Sequence, residues 1–269
     1  MTSLARRWSV LTDLGSLSAR TRLSYGTWFW VNLFVQGLTL VVVAAFWRAV
    51  FAGRSDVAGL NLQQALSYAL LARMLTPLSD PGLIGFLGQL VRSGDLANEL
   101  LRPVDFQSSA AARALGLMAV DFLTRLPVVI PLALLLGLQL PASPAPSLAA
   151  LAVTLLGLIN VFLFEWTLAC VAFYTSYVWG LSMLRGGLIA FFSGALLPLA
   201  FMPDGLRAVA LTLPHTQVVA LPAALLSGQT PMSEVPRVLL TQLLALAVLY
   251  PLSRWVFARA VRRVTVQGG

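Results

Sequence analysis

Residues 27–50 read TWFWVNLFVQGLTLVVVAAFWRAV, with Arg48 as the only ionisable side chain. About 20 consecutive apolar residues, rising 1.5 Å each, cross a hydrocarbon core of about 30 Å. Trp28 and Trp30 stand at one end of this run and Trp47 at the other, spaced as two interfacial aromatic anchors. The stretch reads as a transmembrane helix, and similar runs recur down the chain. Of 269 residues, 58% are hydrophobic and 10% charged, against about 25% charged in a soluble domain. The chain is therefore an all-α polytopic membrane protein, forming a single transmembrane domain over 1–269. A soluble reading is excluded.

Working outward, six transmembrane helices are predicted, near 27–50, 64–90, 114–138, 148–174, 186–201 and 238–257. The second is unusual, because it holds Arg73, Asp80, Pro77 and Pro81, with Gly82, Gly85 and Gly88 at every third position. It reads as kinked and packed inside protein, with the glycines forming a strip for close helix approach. Residues 1–24 are too polar to span. Leu4, Trp8 and Leu11 share one stripe, so the segment reads as an amphipathic interfacial helix, or else as a frayed tail. Residues 202–228 are apolar but interrupted by Pro203, Pro214 and Pro222. Two short helices that dip into the membrane and return to the same side fit this pattern, a re-entrant hairpin before the last span.

All 18 basic residues are Arg, in a chain of net charge +8. They lie between apolar runs rather than on one soluble face, so the charge reports orientation and not nucleic acid. Twelve fall on the side holding both termini: Arg6, Arg7, Arg20, Arg22, Arg92, Arg102, Arg113, Arg185, Arg254, Arg259, Arg262 and Arg263. Four, Arg48, Arg54, Arg207 and Arg237, fall on the other. The bias places both termini in the cytoplasm. Without Lys no P-loop can exist, and the single Cys170 and single His215 build neither a disulfide nor a metal site unaided. Nothing in the chain binds a cofactor or metal.

Away from the span ends, the charged residues inside predicted spans are Arg73, Asp80, Asp121, Arg125 and Glu165. Such residues face protein or water rather than lipid. Asp121 and Arg125 are four apart on one helix and can pair directly. Arg73 and Asp80 are two turns apart on roughly one face. Glu165 lacks a partner in its own span and is left to pair with Arg73 or Arg125. The set reads either as an internal ion-pair network or as a substrate pathway.

The segment 91–113 carries the run SGDLANELLRP, 93–103. Gly94 can end one helix, Asp95 can cap a short new one, and Pro103 can stop it. Leu96, Leu100 and Leu101 alternate with Asp95, Glu99 and Arg102, giving a small apolar face with a polar rim and Leu100 near its centre. A docking helix fits, as does an ordinary connector. That run resembles the first cytoplasmic loop of ABC-2 type permeases, the membrane subunits of ATP-binding cassette exporters. A second stretch, SGALLPLAFMPDGLRAVALTLPHTQVVALPAALLSG over 193–228, resembles that family's last external segment. It departs in carrying His215 after the Leu-Pro pair, where an aromatic residue is common.

The resemblance implies a multi-pass permease in the bacterial inner membrane, moving substrate outward. It implies a separate cytoplasmic ATPase that holds ATP and Mg, coupled through Gly94, Asp95, Leu96, Glu99, Leu100, Arg102 and Pro103. It also implies a second permease subunit, identical or different, because the subgroup it most resembles pairs two permeases with one ATPase. The alternative is a polytopic enzyme acting on membrane lipid, with Asp121, Glu165 or His215 as acid or base.

Overall fold

The computed structural model describes residues 26–175 and 177–263, so the helix expected over residues 1–24 lies outside the described residues. The described chain is helical, with no β-strand. Four helices are long and apolar enough to cross a membrane, Phe29–Val50, Phe106–Leu135, Pro144–Phe173 and Met232–Val261. The bent pair Asp204–Thr212 and Pro214–Leu226 makes up to five if it is one span. The expected second and fifth spans are of a different kind.

Helix α1 (Gly26–Val50) buries Leu33, Leu40, Ala44 and Trp47, and exposes Trp30, Phe34, Leu38 and Val42. The buried set follows the 3.6-residue period, while the opposite face is just as apolar. Such a helix faces protein on one side and hydrocarbon on the other. Asn61 then starts α2 (Leu62–Leu75) with a capping box: its side chain accepts from Gln64 N at 2.8 Å, and Gln64 Oε1 accepts from Asn61 N at 3.2 Å.

Almost all of α2 from Ala65 to Met74 is buried. It stops at Leu75 because Pro77 cannot donate a backbone hydrogen bond and restricts the residue before it. A 3-10 turn over Thr76–Ser79 follows, and α3 (Leu83–Ser93) begins after Gly82, whose φ of 67° lies in the left-handed region. The expected second span is thus a broken, interior element. Of its three glycines only Gly88 makes a close approach, where an added Cβ would lie 2.6 Å from Val178. No atom lies near such a Cβ at Gly82 or Gly85, so the expected strip is one contact point.

Helix α4 (Leu96–Leu100) leads to α5 (Phe106–Leu135), which starts eight residues earlier than the predicted Ala114. The reason is a cap: the Asp105 carboxylate accepts from Ser108 N at 2.9 Å. Helix α6 (Pro144–Ala169) opens with Pro144 in its first turn and continues as a 3-10 turn to Phe173. It is the hub, with 44% of its apolar window buried, against 11–17% for the other three long helices. Helix α7 (Trp179–Phe192) lies seven residues upstream of the predicted fifth span and takes in Arg185, which was expected in a loop.

After α7, three short helices, α8 (Asp204–Thr212), α9 (Pro214–Val218) and α10 (Ala220–Leu226), fill the proline-broken segment, with a 79° bend at Leu213. Phe201, just before it, packs on Trp47 at 5.2 Å, and Gln229, just after it, donates to Gln64 O at 3.2 Å. Both ends therefore lie beside the α1–α2 connection, while residues 214–220 are buried against α6. The last helix, α11 (Val235–Val261), closes the bundle on α6. There an aromatic cluster of Phe106, Phe162, Trp166 and Phe257 has ring centroids 5.2–5.8 Å apart.

Between apolar helices in lipid, packing and hydrogen bonding replace the hydrophobic effect as the cohesive terms. Gly194 shows the first. Its φ is 82°, and a Cβ there would lie 2.7 Å from Ala220 Cβ and 2.6 Å from the Tyr68 hydroxyl. That hydroxyl donates to Gly194 O at 3.1 Å, joining α2 to the end of α7. Left-handed backbone and overpacking together should make Gly194→Ala cost about 2–4 kcal/mol. Thermal unfolding in detergent measures it, and an unchanged midpoint would show that this junction is loose.

Candidate functional site

Four charged or titratable side chains from distant parts of the chain meet inside the bundle. Arg185 on α7 places Nε 2.6 Å from Glu165 Oε2 and Nη2 3.0 Å from Asp80 Oδ1. The Glu165 contact is a close ion pair without hydrogen-bond alignment. The other oxygen of Glu165, Oε1, lies 2.8 Å from His215 Nε2. His215 Nδ1 is buried without a hydrogen-bond partner, so Nε2 is the ring nitrogen that donates, to the Glu165 carboxylate. Side-chain exposure falls from 59% at Asp80 to 8% at Arg185 and 1% at Glu165 and His215. The row thus runs from an open cleft into dry interior, tying the α2–α3 break, α7, α6 and α9 together.

These contacts correct the expected pairings. Glu165 pairs with Arg185 and His215, and with neither Arg73 nor Arg125. Asp80 does not meet Arg73, because the chain leaves the helix at Thr76 and turns its carboxylate towards Arg185 and Gly82 N. Arg73 has no ion pair among the described residues. The Asp121–Arg125 pair is as expected, with Arg125 Nη2 2.7 Å from Asp121 and Nη1 3.0 Å from Gln36 Oε1 on α1. Both side chains keep some exposure, 22% and 16%. Asp121→Asn should therefore cost about 1–2 kcal/mol, less than a fully dry pair would. The double variant Asp121→Asn with Arg125→Gln should be milder than the sum of the singles in a detergent-unfolding cycle, and strict additivity would mean that the two are not partners.

A second polar tie links α6 to the re-entrant segment and to α11. Asn160 Nδ2 donates to Gln217 Oε1 at 2.8 Å and to Gln242 O at 3.0 Å, and Gln242 Nε2 donates to Val153 O at 3.0 Å. An added Cβ at Gly157 would lie 3.0 Å from Gln217 O, so the glycine allows this approach.

At one end of the bundle lies the 93–103 connector. Gly94, with φ 77°, ends α3 as expected. Asp95 precedes α4 but makes no capping bond, and accepts instead from Ser93 Oγ at 2.7 Å. Leu96 is a core residue, 2% exposed, and does not present the expected outward face, while Leu100 is half-buried against the same hydrophobic cluster. The exposed apolar side chain is Leu101, at 83%, followed by exposed Arg102 and Pro103. Glu99 lies 3.2 Å from Arg102 and 3.9 Å from Arg113 of α5, tying the corner to the bundle. Nearby, Arg254 Nη1 lies 2.7 Å from Asp105. Burial alone would raise the Asp105 carboxyl, but hydrogen bonds from Arg254 and Ser108 outweigh it and hold the pKa below the usual range.

Among the described residues, no group of three metal-ligating side chains occurs. Of the candidate acids and bases, Glu165 and His215 are 1% exposed and Asp121 is bound to Arg125. A family model described as ABC-2 family transporter protein matches residues 37–268. No curated protein and no solved structure gives a match. The family match takes in the broken second element, the connector, the buried charge row, the re-entrant segment and α11. The chain belongs to the ABC-2 family of transporter proteins, as a membrane permease component, not itself catalytic, of an ATP-binding cassette transporter.

Proposed function

We propose that this permease is one membrane half of an exporter, with both termini and the 93–103 connector in the cytoplasm. The observation that carries the reading is the Leu101–Pro103 corner. It is an exposed apolar knuckle braced by Glu99 on the bundle, of the kind a partner's cleft can grip. A cytoplasmic ATP-binding subunit docks there and alone holds ATP and Mg. A second permease, identical or different, completes the conduit, as the resemblance to a two-permease subgroup implies for a chain with four to five candidate spans among its described residues. Substrate then moves outward as the two halves rock.

Cysteines placed at Arg54 and Ser143 should react with an impermeant label from outside intact cells, and one at Leu101 should not. The purified chain should hydrolyse no ATP until the cytoplasmic subunit is added. Outside labelling at Leu101, or hydrolysis by the chain alone, would overturn the reading.

A further inference from the structure

An open cleft of about 380 Å³ lies between α1, the α2–α3 break, α5 and α7, lined among others by Gln36, Arg73, Asp80, Arg125 and Arg185. Arg73 lies 73 − 62 = 11 residues into α2, about 16 Å from its start. It stands in the last turn of α2, half-buried beside the break that precedes α3. The cleft is rich in donors. None of the N–H groups of Arg73 meets an acceptor among the described residues, Arg125 Nε is buried without one, and Gln36 spends its oxygen on Arg125, leaving its amide N–H groups open. The one carboxylate in the lining, Asp80, is already engaged by Arg185 and by Gly82 N. Asp121 and Glu165 neutralise Arg125 and Arg185 from behind, which leaves Arg73 as the charge without a contact partner. Val35, Ile189 and Ala190 line the same cleft with apolar surface.

We propose that this cleft binds an oxyanion of the phosphate class, with Arg73 as its principal ligand and Arg125 and Gln36 as supporting donors. This deepens the reading of the chain as a membrane permease and rests on it. A guanidinium takes two oxygens of a phosphate side by side, and the low dielectric of the site strengthens each charge-assisted bond. The apolar wall suits the chain of an amphiphile, so the anion is a headgroup or else a free oxyanion of the same chemistry.

The test uses the full-length chain purified in dodecyl maltoside, with dodecyl phosphate, dodecyl trimethylammonium and inorganic phosphate as probes. Dodecyl phosphate should bind and raise the unfolding midpoint, and the cationic amphiphile should not. Arg73→Gln should weaken dodecyl phosphate about tenfold or more, and Arg73→Lys much less. Competition by inorganic phosphate at matched concentration assigns the site to a free oxyanion, and its failure to compete assigns it to an amphiphile. Unchanged affinity in Arg73→Gln, or equal binding of the cation, overturns the proposal. Leu101→Asp should leave this binding intact, so failure of docking at the connector and failure of the cleft are separable.

Discussion

Replacing Glu165 with Gln is expected to destabilise the fold by about 3–5 kcal/mol, the usual cost of removing one partner from a dry ion pair. Gln keeps the size of the side chain and can still accept from His215. It removes the charge facing Arg185, whose side chain is 8% exposed. Arg185 would then keep Asp80 as its one contacting anion, beside a 3.5 Å contact to Ser79 O, and Asp80 is 59% exposed and shared with Gly82 N. Replacing the whole pair, Glu165→Gln with Arg185→Met, should recover much of the loss, because no orphaned charge remains. Unfolding midpoints in detergent, read by tryptophan fluorescence, provide the check. A single variant as stable as the exposed change Asp56→Asn would show that the row carries no weight.

The largest functional effect is expected from Leu101→Asp. The side chain is 83% exposed and makes no part of the core, so insertion and thermal stability should match the wild type. Association with the ATP-binding subunit should fall by an order of magnitude or more, since a charge placed where an apolar anchor is gripped leaves the partner pocket unpaired. Leu100→Asp, one residue away, should behave differently. Leu100 is half-buried against the hydrophobic cluster that holds Leu83, Leu87 and Leu96, so its replacement should lower stability as well as docking. Normal co-purification and normal ATP turnover with Leu101→Asp would place the coupling surface elsewhere, and would leave Leu100 as a structural residue only.

The local features of the fold were legible in the sequence because their causes are local. Pro77, Asp80 and Pro81 announce a broken interior element, Gly94 a helix end, and Pro203, Pro214 and Pro222 a segment of short helices. Asp105 and Ser108 also carry a capping signal, but the polar run around them hides it, so α5 was read as starting too late. The buried row could not be read in the same way. Glu165 and Arg185 are 20 residues apart on different helices, beyond any spacing rule for one helix, and His215 comes from a third. One signal was available: a lone acid in the fourth span and a lone base at Arg185, within an apolar stretch, each need a partner. Arg185 was instead counted among the loop arginines, because the fifth span was read as starting at residue 186, whereas α7 starts at Trp179. Leu100 and Leu101 are likewise indistinguishable by hydrophobicity, and only the fold assigns one inward and the other outward.

The break between α2 and α3 separates two rods with different anchorage. The α2 rod is clamped by the Asn61–Gln64 box, by Tyr68 on Gly194, and by burial along most of its length. The α3 rod is continuous with the connector at Gly94 and ends at Gly82, which is exposed. Under the proposed docking, a force at Leu101 would act first on α3, itself held by buried Leu83, Ile84 and Leu87, and reach α2 only through this joint. The first bond it would strain is the half-open one between Asp80 and Arg185, beside the mouth of the arginine-lined cleft. An element that looks like one interrupted span is, in mechanical terms, two rods joined end to end at Thr76–Gly82.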